Sequence, residues 1–128
     1  MDKQNNSQRF FYQEAFRNIY TSLRFLNTND EVNVFTLTSS IPSEGKSQIN
    51  ILLSKTLSEL GEKILLIDAD LRKPQIHTRL GLDNLIGLSN VLTDNKILWK
   101  DVLQKVDGFE KWDVMPAGLV PPDPTLLL

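Results

Sequence analysis

The order of a strand, a glycine-containing loop, a helix and a second strand constrains this chain's fold more than any other feature. Residues 32–38, VNVFTLT, are rich in β-branched and aromatic types and predict a strand. Residues 46–60 predict a helix that ends at Gly61. Residues 63–68, KILLID, form the short apolar run that is typical of a strand buried on both faces. This order predicts a right-handed βαβ unit with its two strands parallel.

The loop before the helix predicts a phosphate-binding site. It reads SSIPSEGKS, and its end matches the second half of the pattern G-x-x-x-x-G-K-[ST]. In that pattern backbone N–H groups turn toward the phosphates, the lysine reaches the β- and γ-phosphates, and the hydroxyl binds Mg²⁺. Gly-Lys-Ser alone is a common tripeptide, but its position between a strand and a helix favours a nucleotide site. Ser40 replaces the first glycine of the pattern. The residues predicted to bind nucleotide are Ser40, Ile41, Pro42, Ser43, Glu44, Gly45, Lys46, Ser47 and Gln48.

Two aspartates, Asp68 and Asp70, follow the second predicted strand. Ligands of parallel sheets bind beyond the carboxyl ends of the strands, so both carboxylates should face the phosphate site. One could hold Mg²⁺ while the other orients or deprotonates an attacking hydroxyl. One alternative is that they only cap the following turn. A second alternative is a minimal nucleotidase in which Asp68 is the magnesium carboxylate.

Composition excludes several other kinds of protein. The 128 residues are 41% hydrophobic and 23% charged with a net charge of −2, which is typical of a soluble globular domain without a general attraction to nucleic acid. The absence of cysteine excludes a disulfide scaffold and a cysteine-ligated metal, and it fits a reducing cytoplasm. No apolar run approaches the ~20 residues that span a bilayer. Any membrane attachment is therefore expected through another chain or a further segment.

The N-terminal part predicts one amphipathic helix after a polar start. Residues 1–11 are expected to be flexible, and residues 12–26 to be helical. Apolar side chains recur there in steps of three and four, which describes one helix face. The residues on this face are Phe16, Ile19, Leu23 and Leu26.

The C-terminal part is less regular. A short helix is predicted after Pro74, partial helicity in 85–95 and 97–106, and a third strand at 112–115. Trp99 and Trp112 are expected to fill core contacts. Residues 119–128 are rich in proline, end on Leu-Leu-Leu and predict a linker into a missing segment, so that 1–128 is expected to be part of a longer domain.

Five segments taken together resemble the bacterial tyrosine autokinases of capsule and exopolysaccharide export. They are EAFRNIYTSLRF, TSSIPSEGKS, ILLIDADLRKP, GLSNVL and MPAGLVPPDPTLLL, and they extend from about residue 14 to the end. The resemblance implies an α/β P-loop NTPase domain that has a parallel sheet with helices on both faces. Residues 1–128 would be the N-terminal part of that kinase domain. The fold is related to that of chromosome-partitioning and division-site ATPases.

The resemblance also implies roles for individual residues, with ATP and Mg²⁺ as cofactors. Lys46 would contact the transferred phosphate, and Ser47 would bind Mg²⁺. Asp68 would handle the incoming tyrosine hydroxyl, and Asp70 would help to hold the metal. The implied activity is phosphorylation of tyrosines in a neighbouring subunit, which regulates polysaccharide polymerisation and export.

The implied setting is the inner face of the plasma membrane. Family members are cytoplasmic there through a polysaccharide co-polymerase activator, which is fused or separate, and they form rings. Glu14 and Arg17 match the family's contact motif Glu-x-x-Arg-x-x-Arg, whereas Tyr20 replaces its last arginine. A local Glu14–Arg17 pair on an amphipathic helix remains the alternative. No nucleic-acid partner is implied.

Two further departures from the family lie at the end of the chain. The family's Walker B strand lies beyond the proline linker, and only Tyr12 and Tyr20 are present instead of a tyrosine cluster. These departures predict little kinase activity and poor solubility for the 128 residues alone. Two alternatives stay open, a partitioning-type ATPase switch and a non-catalytic nucleotide-binding remnant. Ile41 counts against the first, because that class usually has lysine there.

Overall fold

The computed structural model describes residues 2–26, 34, 36 and 45–119. The strand predicted at 32–38 therefore lies outside the described residues, apart from two positions, as do most of the phosphate loop and all but the first residue of the linker. The helices are α1 (Asp2–Leu26), α2 (Lys46–Glu59), α3 (Ile76–Leu80) and α4 (Leu88–Thr93), with a 3-10 turn at Trp99–Val102. The strands are β1 (Ile64–Ile67), β2 (Gln104–Lys105) and β3 (Trp112–Met115).

The described sheet has the order β1-β3-β2. Strands β1 and β3 are parallel, with Ile64 opposite Trp112 and Ile67 opposite Met115. This confirms the strands predicted at 63–68 and 112–115. Strand β2, which the sequence did not predict, is antiparallel to β3, so the described sheet is mixed. A short turn can return the chain only to an antiparallel partner, because parallel partners need a long crossover.

The direction of helix α2 determines at which end of the sheet its first turn lies. It ends at Glu59 beside Gly61, as predicted, and the Glu62 N–H donates to the Leu57 carbonyl at 3.1 Å. A short turn then leads into β1, against which α2 packs. A helix connected to a strand in this way runs antiparallel to it. The first turn of α2 therefore lies toward the carboxyl end of β1.

The core lies on one face of β1 and β3. Trp112 and Val114 are almost completely buried with Leu66 and Ile76. Leu65, on the opposite face of β1, is 40% exposed. The prediction of a strand buried on both faces therefore does not hold within the described residues, where α2 and α3 cover one face.

The two tryptophans differ in their surroundings. Trp112 is a core residue, as predicted, and its ring meets that of Phe109 edge to face. The prediction is wrong for Trp99, which is 47% exposed because the 3-10 turn holds it at the surface, with the Lys100 ammonium over its ring.

Helix α1 is longer than the sequence predicts. It begins at Asp2 and not at residue 12, while the flexibility expected over 1–11 stays a prediction. No glycine or proline interrupts residues 2–26, so the helix propagates through the polar start. Phe16 and the half-buried Tyr20 pack toward α2, whereas Ile19, one position off this stripe, is 44% exposed. The predicted face is therefore correct at Phe16 and wrong at Ile19; the side chains of Leu23 and Leu26 lie outside the described set.

The predicted short helix after Pro74 is confirmed by α3. The partial helicity predicted further on is confirmed by α4 and the 3-10 turn. Across the described ranges, no helix is both long and apolar enough to cross a membrane.

Candidate nucleotide and phosphoryl-transfer site

The start of α2 has the features of an anion-binding helix terminus. Gly45 precedes the helix at φ 74° and ψ 6°, a left-handed conformation that glycine adopts without steric cost. The Ile49 N–H donates to the Gly45 carbonyl at 2.9 Å and begins the helical ladder. In the described part of the chain no side chain caps this helix start, and its first turn carries no acidic residue. The first amide groups, Lys46 and Ser47 can therefore act together on a phosphate.

Asp68 lies at the same end of the sheet, one residue beyond β1. Its N–H donates to the Met115 carbonyl at 3.0 Å, which continues the pairing of β1 with β3. Because α2 runs antiparallel to β1, the helix start and Asp68 share the carboxyl edge of the strand. The structure thus brings the predicted lysine, hydroxyl and carboxylate to one edge, where α/β proteins bind ligands.

The Asp68 carboxylate is 3% exposed and also organises the backbone. Oδ1 accepts the Asp70 N–H at 3.1 Å, and Oδ2 accepts the N–H groups of Gln75 and Ile76 at 3.3 Å each. These bonds close the segment 68–76 and satisfy N–H groups at the start of α3. The capping alternative drawn from the sequence is therefore present, whatever chemistry Asp68 performs.

Burial dominates the electrostatics of Asp68. Desolvation raises the pKa of its carboxyl above the ordinary aspartate value. The three backbone N–H groups lower this pKa in part, and the nearby negative charge of Asp70 raises it further. A carboxylate with a raised pKa is a better proton acceptor than an exposed one.

Asp70 differs from Asp68 in being exposed. Its Oδ1 accepts the Lys73 N–H at 3.1 Å, and the carboxylate otherwise faces solvent. Within the described residues, no three His, Cys, Asp or Glu side chains form a metal-binding group. Mg²⁺ keeps several water ligands and binds proteins through one or two carboxylates together with phosphate oxygens. Asp70 and Ser47 fit such a sparse protein contribution.

The carboxyl end of β3 continues into Met115–Gly118, here called the MPAG segment, which lies beside Asp68. Its Pro116 carbonyl accepts the Leu88 N–H at 2.8 Å, and its Ala117 carbonyl accepts the Ser89 N–H at 2.9 Å. The first turn of α4 is thereby fixed to the end of β3.

Asn84 holds the same segment from the other side. Its Nδ2 donates to the Gly118 carbonyl at 2.9 Å, and its Oδ1 accepts the Gly118 N–H at 2.8 Å. A Cβ added to Gly87 would lie 2.1 Å from the Pro116 oxygen, so the two backbones touch there. Sequence reasoning missed this contact, although the glycines of GLSNVL and MPAG are its signal.

The predicted site residues are thus partly placed. Gly45, Lys46, Ser47 and Gln48 form the junction and first turn of α2, and Asp68 and Asp70 follow β1. Residues 40–44 lie outside the described residues, so their predicted role is not tested.

The chain has named relatives among known proteins. No protein-family model matches it. It is 36% identical over 115 residues to the tyrosine-protein kinase YwqD of Bacillus subtilis, which covers 90% of this chain and 48% of that protein. It is 37% identical over 118 residues to the tyrosine-protein kinase Etk of Escherichia coli K12, which covers 90% of this chain and 16% of Etk.

Solved structures agree with these relatives. The kinase domain of E. coli Etk matches 91% of this chain and 45% of its own length, with a TM-score of 0.80 and 35% identity. The septum site-determining protein MinD of Pyrococcus horikoshii, solved with Mg-ADP, matches 70% of this chain and 36% of its own length, with a TM-score of 0.58 and 29% identity. The predicted P-loop NTPase fold is therefore confirmed. In sequence and in fold the chain is similar to bacterial tyrosine-protein kinases, and it spans about half the length of YwqD and of the solved Etk kinase domain.

Proposed function

We propose that this chain carries the ATP site of a tyrosine-protein kinase. The observation that supports the proposal most is the left-handed Gly45 that opens an uncapped α2 at the carboxyl edge of β1, where Asp68 and Asp70 follow. Phosphoryl transfer depends mainly on positioning the reactants and neutralising charge, and these groups are suited to both tasks. Residues 40–44 complete the phosphate loop in this proposal.

The residues divide the work as follows. Lys46 contacts the transferred phosphate, while Ser47 and Asp70 hold Mg²⁺. The incoming tyrosine hydroxyl meets Asp68, whose Oδ1 accepts one N–H in the structure and keeps a lone pair for another hydrogen bond. The raised pKa of Asp68 suits it to receive the hydroxyl proton.

Calorimetry tests the nucleotide site. Lys46→Ala removes a charge-assisted contact worth about 1.5–3 kcal/mol, so Mg·ATP should bind roughly ten- to a hundredfold more weakly. Lys55→Ala, which removes an equal charge from the middle of the same helix, is the matched control and should bind like the wild type. Equal affinity of the Lys46 variant and its control would contradict the site.

Transfer of labelled γ-phosphate to tyrosine tests the kinase activity itself. The structural similarity to MinD favours an ATPase switch as the second candidate. Hydrolysis of ATP with nucleotide-dependent dimerisation but without phosphotyrosine would support that switch. Nucleotide binding with neither activity would support a non-catalytic remnant.

The cellular setting is part of the proposal. The chain acts in the cytoplasm at the inner face of the plasma membrane, in exopolysaccharide or capsule production, together with a polysaccharide co-polymerase. Ring formation uses Glu14 and Arg17, which are both exposed in the described part of α1 and form no ion pair with each other. Arg17→Glu should shift sedimentation toward the monomer, whereas Lys96→Glu, a charge reversal on an exposed loop, should not.

A further inference from the structure

Tyr20 connects α1 to the turn before β1. Its hydroxyl donates a hydrogen bond to the Glu62 carboxylate, across 42 positions of sequence. Its ring is partly buried against the cluster of Phe16, Leu53 and Leu57. The ring therefore packs within the α1–α2 interface, whereas the hydroxyl can donate to Glu62 only while it keeps its hydrogen.

We propose that Tyr20 is a phosphoacceptor of this chain, and that the Tyr20–Glu62 hydrogen bond is a latch that phosphorylation holds open. The proposal rests on the proposed kinase function, since it names a substrate for that activity. Only Tyr12 and Tyr20 can accept phosphate on tyrosine within the 128 residues. The Tyr20 hydroxyl joins two elements of the fold, so its modification has a structural consequence.

The transfer takes place between two molecules. The Tyr20 oxygen of one molecule attacks the γ-phosphorus of Mg·ATP bound to another, and a new P–O bond forms. The bond from the γ-phosphorus to the β–γ bridging oxygen breaks, and ADP leaves. The phenolic proton passes to the Asp68 carboxylate of the ATP-bound molecule. The hydroxyl must first leave Glu62, so local opening of α1 precedes the reaction.

The product cannot close the latch again. The phosphate is mostly deprotonated at neutral pH and carries a charge of about −1.5 to −2, which repels the Glu62 carboxylate. The Lys111 ammonium is close to this turn but is bonded to the Gly61 carbonyl at 3.0 Å. An ammonium has three N–H donors, so Lys111 could also bond the phosphate without restoring the Tyr20–Glu62 contact. Phosphorylation therefore favours the open position of α1.

The experiment incubates the 128-residue chain with γ-labelled ATP, with or without the kinase domain of E. coli Etk as an added phosphate donor. Labelled sites are located by fragmentation mass spectrometry on the wild-type chain, which needs no variant. Tyr20→Phe keeps the ring and removes the acceptor oxygen, and Tyr12→Phe is its matched control. Glu62→Ala opens the latch and should raise the labelling rate of Tyr20 about tenfold, the effect of one hydrogen bond to a charged group.

The outcomes separate this proposal from the proposed function. Label on Tyr20 with Etk present, but none with the chain alone, would contradict the proposed kinase activity of the chain and support Tyr20 as a phosphoacceptor. Label that is confined to Tyr12, or absent while Etk labels a control peptide, overturns the acceptor proposal. An unchanged labelling rate in Glu62→Ala overturns the latch. So does unchanged amide hydrogen exchange of α1 in the phosphorylated chain, since opening should speed exchange there severalfold.

Discussion

Replacement of Gly87 by alanine should strongly destabilise the fold through a contact between two backbones. The new Cβ would lie 2.1 Å from the Pro116 oxygen, 2.5 Å from the Gly118 nitrogen and 2.7 Å from the Pro116 carbonyl carbon. The φ of Gly87 is −168°, an extended angle that alanine adopts freely, so the penalty is purely steric. Backbone atoms cannot rotate aside, so α4 and the MPAG segment must separate.

The expected cost follows from the contacts that this separation disturbs. The hydrogen bonds from Leu88 N–H to Pro116 and from Ser89 N–H to Ala117, at 2.8 and 2.9 Å, are worth about 1 kcal/mol each. Overpacking adds about 1–3 kcal/mol. Alanine also lowers the conformational entropy of the unfolded chain, which offsets about 0.4–1 kcal/mol of this cost. The free energy of unfolding should therefore fall by about 2–4 kcal/mol, and Tm by roughly 8–16 °C for a domain of this size.

Urea unfolding followed by tryptophan fluorescence measures the loss, because Trp112 is 1% exposed in the native state. The matched control is Gly108→Ala. Gly108 has φ +85° and nothing within 4 Å of an added Cβ. The control should therefore cost only the strain of a left-handed alanine, about 1–2 kcal/mol. A Gly87 variant no less stable than the Gly108 variant would refute the steric reasoning.

Three further predictions concern the site and its supports. Asp68→Asn should lower the free energy of unfolding by about 1–3 kcal/mol, because the NH2 group of the amide cannot accept the N–H groups that one carboxylate oxygen now accepts. A wild-type urea midpoint would contradict this, and in a catalytically active form the label transferred to tyrosine should also fall. Burial raises the pKa of Asp68, so this group stabilises the fold fully below the ordinary pKa of about 3.9, and the effect is lost as the pH rises through the folded pKa. The difference in unfolding free energy between wild type and Asp68→Asn should therefore shrink as the pH rises from the ordinary aspartate pKa through the folded pKa of Asp68. A constant difference would argue against the raised pKa. Asn84→Ala should cost about 1–3 kcal/mol in thermal unfolding through its two bonds to Gly118, whereas Asn95→Ala, on an exposed turn, should change Tm little.

The features that the sequence predicts correctly are those with local causes. The apolar runs that became β1 and β3 need no distant partner to be recognised, and α2 ends beside Gly61 as its C-terminal signal indicates. The association of Lys46, Ser47 and Asp68 at one edge follows from the handedness and direction of connections in α/β folds.

The features that it misses depend on distant contacts. The buried face of α1 includes Phe16 and Tyr20 instead of Phe16 and Ile19. Several apolar side chains of α1 could form a buried face, and the position of α2 determines which of them are covered. A tyrosine also looks the same in sequence whether its hydroxyl faces water or Glu62. The reciprocal bonds of Asn84 join residues 34 positions apart, which no local pattern can indicate.

The two-residue strand β2 has a consequence for the order of folding. It pairs with β3 through a tight reversal of about ten residues, whereas β1 and β3 can meet only after some 48 residues have been brought together. The entropic cost of loop closure is about 1.4 kcal/mol lower for the β2–β3 hairpin, so the hairpin is the more favourable folding nucleus. Hairpins form in about 1–10 μs, long before slower non-local pairings. Strand β2 should therefore keep β3 extended early in folding. Strand β1, which carries Asp68 at its end, pairs with β3 later and completes the site.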